Sequence, residues 1–204
     1  MNNQQHICVV TQQLKNIYSG PGVYSNLLIK ELKKRNFLVT VILPEEQLPE
    51  NPDFNFILVP NPIIKTHARW MELSKYFNRA IKPNVFDLIH YTDIRDSYFV
   101  KTSINSVANI NDTYLTDFRS IKYYRDHYKD WVLRSIYYRI SKYIEQKNVN
   151  RIDRIIANSQ YTKNVVLNNY PFLQDKISVC YKTVDFSQIP KKTSSNSGFF
   201  NILF

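Results

Sequence analysis

Two of the three glycines in this 204-residue chain, Gly20 and Gly22, sit within three positions of each other in the run SGPGVYS. Glycine there permits positive φ and close approach by a ligand, and free N–H groups at a following helix start favour phosphate or sugar oxygens. A tight loop that opens a helix would use the same residues. If the loop is a cradle, valine at Gly22 is expected to block the ligand and spare the fold. GPGVYS also approximates the dinucleotide fingerprint G-x-G-x-x-G, with Glu45 and Glu46 as candidate ribose partners. Two features depart from it. Ser25 stands where the third glycine belongs, and eight residues separate Thr11 from Gly20, whereas the fingerprint follows its strand almost directly. A second polar group, His90, Asp93 and Asp96, falls where an apolar run ends, with all three expected on one side. Such residues can bind hydroxyls, and aspartates there can equally cap a helix. His6, His67 and His127 have no ligand spacing with Cys, Asp or Glu, so no metal site is expected. Cys8 and Cys180 each lie in an apolar stretch and are read as two buried, reduced thiols.

The elements that must position these groups alternate. Apolar runs at 6–11, 37–43, 54–59, 86–91, 106–110, 154–158 and 177–181 read as strands. Between them 23–34, 66–81 and 120–147 carry helical spacing, and Ser159 caps a further helix reaching Asn168. Continuous apolar strands alternating with helices imply a parallel sheet covered on both faces. The expected fold is α/β, a doubly wound, Rossmann-like parallel sheet. In such sheets ligands bind outside the carboxyl ends of the strands, where the glycine loop and His90 fall. Residues 1–190 are expected to form this domain. Residues 190–198 read as a linker, and the final FFNILF reads as a strand that either folds back on this domain or opens a second domain that is missing or supplied in trans.

Composition narrows the class. With 44% hydrophobic and 22% charged residues the chain is an ordinary globular domain. No apolar run approaches the roughly 18 residues of a membrane span, and the polar start is no signal peptide, so the cytoplasm is the expected compartment. Net charge is +10, and residues 120–154 hold nine bases against four acids. Such a patch suits an anionic membrane, nucleic acid or a phosphorylated substrate, or is a solvated lysine-rich face. The helix at 120–147 contains six tyrosines, Trp131 and seven bases. A basic aromatic helix can lie at a membrane interface. Projection at 100° per residue, however, puts Arg125, Lys129 and Arg139 in the arc of Ile121, Val132 and Ile136, so the faces are not cleanly separated. Nucleic acid is disfavoured, since no helix-turn-helix, RNP or zinc pattern accompanies the charge.

Five segments in order resemble one family, the amino-terminal domain of GT-B-fold glycosyltransferases of the family-four type. SGPGVYSNLLIKELKKRNFLVTVIL is similar to its glycine-rich turn, helix and second strand, and FDLIHYTD to its strand ending in Asp, two apolar residues and His. VANINDTY stands in the place of its strand ending in His-Asp. DRIIANSQYTKNVV is similar to its strand followed by a serine, an aromatic and Thr-Lys, and KISVCYKTVDFSQIP to the strand entering its Asn-Gly-Val-Asp turn.

The resemblance implies transfer of a sugar from a nucleotide-sugar donor to a sugar, lipid or polyprenyl-phosphate acceptor. Such transfer takes place in a cleft between two Rossmann-like domains, usually with retention and without a metal or other cofactor. It implies that this half serves mainly the acceptor, needs a second domain or partner chain, and works in the cytoplasm or at the inner face of the membrane. On this reading Asn111 and Asp112 lie beside the transferred sugar, Gly20 and Gly22 approach donor phosphate or acceptor, and His90, Asp93, Ser159, Thr162 and Lys163 bind substrate. Two positions depart from the family pattern. Asn111 replaces a histidine and can hydrogen-bond but cannot carry charge at neutral pH, and Lys182-Thr183 replaces Asn-Gly. A non-catalytic binding domain of the same descent is the alternative.

Overall fold

The computed structural model describes residues 4–16, 19–65, 68–82, 85–111 and 128–182. Asp112, His67, His127, Arg125, the start of the helix expected at 120–147, the linker and FFNILF lie outside the described residues.

Seven parallel strands form one sheet in the order β3-β2-β1-β4-β5-β6-β7. They are β1 His6–Val10, β2 Leu38–Pro44, β3 Asn55–Val59, β4 Leu88–Tyr91, β5 Ser106–Ile110, β6 Arg154–Ala157 and β7 Ile177–Val179. The helices are α1 Gly20–Lys34, α2 Arg69–Ala80, α3 Tyr128–Asn148 and α4 Gln160–Asn169. The sequence expectation of a doubly wound α/β sheet therefore holds. Chain direction across the sheet reverses between β1 and β4, the crevice where such folds bind ligands.

Helix α1 begins three residues earlier than the apolar spacing predicts. Ser19 caps it by accepting the Gly22 N–H at 3.1 Å, and Pro21 fits a first turn whose N–H groups have no helical partner anyway. It ends in a Schellman turn. Asn36 adopts φ 61°, a left-handed conformation asparagine tolerates, while the Asn36 and Phe37 N–H groups bond the Lys33 and Leu32 carbonyls.

Strand alternation splits the core. Cys8, Val10, Ile89, Tyr91 and Ile155 face one side, packed with Trp70, Leu73 and Phe77 of α2 and Val166 of α4. Ile7, Val9, Val39, Val41 and Leu43 face the other, under Ile29 of α1. That second cluster has no buried member from β4, β5, β6 or β7. Cys8 is the buried thiol expected, with its pKa raised by burial, but Cys180 is exposed because it follows the end of β7.

Candidate acceptor site at the carboxyl ends of the strands

At the reversal point a chain of hydroxyls ties three elements together. Thr92 Oγ1 donates to Thr11 Oγ1 at 2.9 Å, Thr11 Oγ1 lies 3.0 Å from Ser25 Oγ, and Ser25 Oγ donates to the Pro21 carbonyl. Ser25 therefore locks α1 to the strand ends through its hydroxyl, where the dinucleotide fingerprint would have glycine. Gly20 and Gly22 are helical residues, and neither has positive φ. What glycine provides at 22 is close approach to the chain itself, since a Cβ would overlap the Asn16 carbonyl oxygen. The expectation that valine at Gly22 spares the fold is thus overturned. Gly20 meets nothing within 4 Å.

Beside this chain a cavity of about 230 Å3 is lined by Thr11, Gln12 and Gln13 after β1, Thr92, Asp93, Arg95 and Asp96 after β4, Pro21, and Arg69 and Trp70 at the start of α2. Asp93 caps the 3-10 turn Ile94–Ser97, accepting the Arg95 N–H at 2.9 Å. Its two oxygens also take the Arg95 Nε at 2.8 Å and Nη2 at 2.7 Å. Burial works against its charge, but the Arg95 guanidinium and these bonds win and hold the carboxyl below the usual range. Asp96 is fully buried, and Gln12 Nε2 bonds its Oδ1 while Oδ2 has no partner among the described residues. Burial, reinforced by the Asp93 charge, raises its pKa well above the usual value despite Gln12 and Arg95. Arg69 pairs with Glu46. Both guanidinium groups in the cavity wall are thus matched by carboxylates, and beside them stands Asp96, whose ionisation burial and the Asp93 charge oppose.

Asp96 gives the first prediction. The unfolded carboxyl ionises near 3.8 and the folded one only at higher pH, so the residue costs stability that grows as pH rises through that window. Asp96→Asn keeps an acceptor for Gln12 and removes the ionisation. Thermal melts are expected to show a higher Tm at neutral pH, by about 2–4 °C per kcal/mol recovered, and no gain near the unfolded pKa. An equal shift at both ends of the range would mean Asp96 is not held neutral.

A second cavity, about 400 Å3, lies on the α1 side, where the apolar cluster stops. Tyr24, Leu27 and Leu28 of α1 wall it, His90, Asn109 and Ile156 come from the strands, and Asn158 follows β6. Tyr24 Oη lies 3.3 Å from His90 Nε2, and the Lys182 ammonium sits 4.7 Å from the Tyr24 ring centroid. His90 is 7% exposed. Burial lowers its pKa to about 4 against a smaller opposing bond from Asn109, so the imidazole is neutral at physiological pH. Asn111 joins the two regions. It lines this cavity, its side chain favours the charged form of Asp93, and its Oδ1 has no partner among the described residues. A third cavity, about 760 Å3, is lined chiefly by residues 100–106 and 151–153, at the starts of β5 and β6, away from the carboxyl ends.

The residues singled out in the sequence therefore separate. Asp93 lines the first cavity, His90 and Asn111 the second, so His90 does not share a side with Asp93 and Asp96. Ser159 and Thr162 line neither. Ser159 caps α4 by accepting the Thr162 N–H at 3.0 Å, and Thr162 Oγ1 donates to Asn158 Oδ1 at 2.7 Å. Lys163 is half-buried on the same helix. Gln12, Gln13, Arg69 and Trp70 were not singled out. Gln12 and Gln13 carried a signal, since they follow the first strand directly.

The Glycosyltransferase Family 4 profile matches residues 18–188. The chain belongs to that family. Among solved structures, sucrose-phosphate synthase from Thermosynechococcus elongatus superposes with a TM-score of 0.60 at 11% identity, covering 87% of this chain and 48% of that one. A glycosyltransferase from Rickettsia africae gives 0.48 at 18% identity, covering 90% and 44%. A doubly alanine-substituted Os79 from O. sativa in complex with UDP gives 0.47 at 8%, covering 86% and 51%. No curated protein sequence matches. The family 4 domain spans about half the length of the solved structures it resembles. Its fold is that of the amino-terminal Rossmann-like domain of a GT-B glycosyltransferase.

Proposed function

We propose that this domain is the acceptor-side half of a nucleotide-sugar-dependent glycosyltransferase, completed by a second domain in the same chain or in trans. The observation that carries this reading is the polar, charge-balanced cavity at the strand reversal of a family 4 domain. The acceptor hydroxyl attacks the anomeric carbon of the donor, the bond to the nucleoside diphosphate breaks, and the hydroxyl proton leaves with it or to solvent. Asp93, ionised and fixed by Arg95, accepts a hydrogen bond from the acceptor and orients it. Asn111, just after β5, favours the charged form of Asp93, and Asp112, next in sequence, is the candidate to contact the transferred sugar. Gly20, Gly22, His90, Ser159, Thr162 and Lys163 act by shaping the strand ends. Retention and independence from metal or other cofactors are proposed on the family resemblance, as is cytoplasmic work on a sugar, lipid or polyprenyl-phosphate acceptor. Among the described residues no helix is long and apolar enough to cross a membrane.

Asn111 favours a second reading, a non-catalytic module, because it cannot relay a proton where the family has histidine. Nucleoside diphosphate release by the complete native protein, over a panel of nucleotide sugars and acceptors, separates the two. Turnover is expected, with Asp93→Asn lowering kcat/KM for the acceptor about tenfold or more. Silence across the panel, with donor binding retained, would leave the non-catalytic module.

A further inference from the structure

Helix α3 is built with its polarity partly inverted. The side facing the domain carries Ser141, Glu145 and Asn148, all buried. Tyr98 Oη donates to Glu145 Oε2 at 3.3 Å and Tyr170 Oη to its Oε1 at 3.2 Å, while Asn148 Oδ1 accepts the Phe99 N–H. Trp70 Nε1 donates to Tyr137 Oη at 2.6 Å, completing the attachment. With Glu145 and Asn148 matched inside, large apolar side chains are left outside. Leu133, Ile136, Ile140 and Tyr143 are 68%, 52%, 48% and 57% exposed. Their spacing of three, four and three residues places them in one stripe along the helix.

Among the described side chains of α3 the exposed charges have one sign. Between Trp131 and Asn148 the bases are Arg134, Arg139, Lys142 and Lys147, and the sole acid is the buried Glu145. Lys147 Nζ stands 4.4 Å from the Tyr143 ring centroid and extends the stripe by one turn. A second copy of this chain, itself +10, would set like charge against like charge here. An anionic lipid surface meets both features, with headgroups for the bases and the acyl boundary for the apolar side chains.

We propose that the outward stripe of α3, Leu133, Ile136, Ile140 and Tyr143, seats the protein in the plane of an anionic membrane, with Arg139, Lys142 and Lys147 on the headgroups. The helix lies on the surface and does not span it. The inference deepens the functional reading by bringing the acceptor-side domain to a lipid surface, yet it stands on its own, because vesicle binding needs neither donor nor turnover.

Co-sedimentation of the native protein with phosphatidylcholine vesicles, with and without about 30 mol % phosphatidylglycerol, tests it. Binding to the anionic vesicles is expected to be at least about tenfold tighter and to weaken in high salt. Ile136→Glu with Ile140→Glu changes two exposed side chains and should lower anionic binding about tenfold with an unchanged Tm. Arg139→Glu with Lys142→Glu should do the same. Ile63→Glu, at an exposed apolar site outside α3, should change nothing. Wild-type binding by the Ile136/Ile140 variant would overturn the proposal. So would a wild-type protein that ignores vesicles and is dimeric by light scattering while that variant is monomeric, since the stripe would then be a self-interface.

Discussion

Alanine at Gly22 is expected to destabilise the domain by about 1–3 kcal/mol, while alanine at Gly20 leaves stability unchanged or raises it by up to about 1 kcal/mol. The two glycines are two residues apart in one helical turn and have opposite surroundings. A Cβ at Gly22 would overlap the Asn16 carbonyl oxygen, a backbone atom that cannot rotate away. That oxygen already accepts the Ser19 N–H at 3.2 Å and the Ser19 hydroxyl at 3.0 Å. Moving it disturbs the hydroxyl that caps Gly22, and with it the bonds by which Asn26 holds the Leu14 and Gly22 carbonyls. At Gly20 the added methyl enters open space in a helix, where alanine is the better residue. Urea denaturation of the two variants beside wild type measures the difference. Equal midpoints would mean the Asn16 carbonyl can yield to a Cβ at Gly22 without loss. Because Pro21 lines the first cavity, Gly22→Ala is also expected to weaken acceptor use in the complete enzyme.

The contrast shows which parts of this molecule were legible in its sequence. Strand and helix order was readable because each apolar run is local, and the proline and serine of SGPG sat where a helix start uses them. That the glycine loop lies at the carboxyl ends of the strands followed from parallel topology, whereas the reversal point needed the strand order, which local pattern does not carry. What glycine does at 22 was hidden, because the overlapping atom belongs to a loop whose path depends on Ser19 and Asn26. The cavity was half hidden too. Gln12 and Gln13 follow β1 directly, but Arg69 and Trp70 arrive from the start of α2, and nothing local in that helix marks its first turn as a wall. His90 was placed beside Asp93 by proximity in sequence. Across the strand end, alternation sends His90 toward Tyr24, while Asp93 turns away with Arg95 and Asp96. Helix α3 defeated projection for a related reason. Tyr98 and Tyr170, remote in sequence, make Glu145 a core residue, and that exchange turns Ile136 and Ile140 outward.

Between pH 6.5 and about 4 the wild-type domain is expected to lose about 3 kcal/mol of stability that a His90→Gln variant keeps. The unfolded imidazole takes up a proton near pH 6.5, while the folded one, buried against Tyr24 and Asn109, does so only near 4. Over that interval the unfolded chain binds more protons, so stability rises with pH and is lost as pH falls. Glutamine keeps an acceptor for the Tyr24 hydroxyl and has nothing to titrate. Asp93 and Asp96 titrate in both proteins, so their opposed contributions cancel in the difference between the two curves. Urea denaturation from pH 4 to 8 reads that difference directly. Curves that run parallel would show that the imidazole gains its proton in the folded state as easily as in water, and the second cavity would then be open to solvent. A neutral His90 also bears on the chemistry. It can accept or donate one hydrogen bond per ring nitrogen but offers no cation to a leaving phosphate at neutral pH. Asn111, in the same cavity, is uncharged too, so on the proposed function such a cation would come from an arginine or lysine, or from a second domain. The pH–rate profile of the complete enzyme is accordingly expected to carry no inflection from His90, and the His90→Gln variant to retain the wild-type profile above pH 6.5.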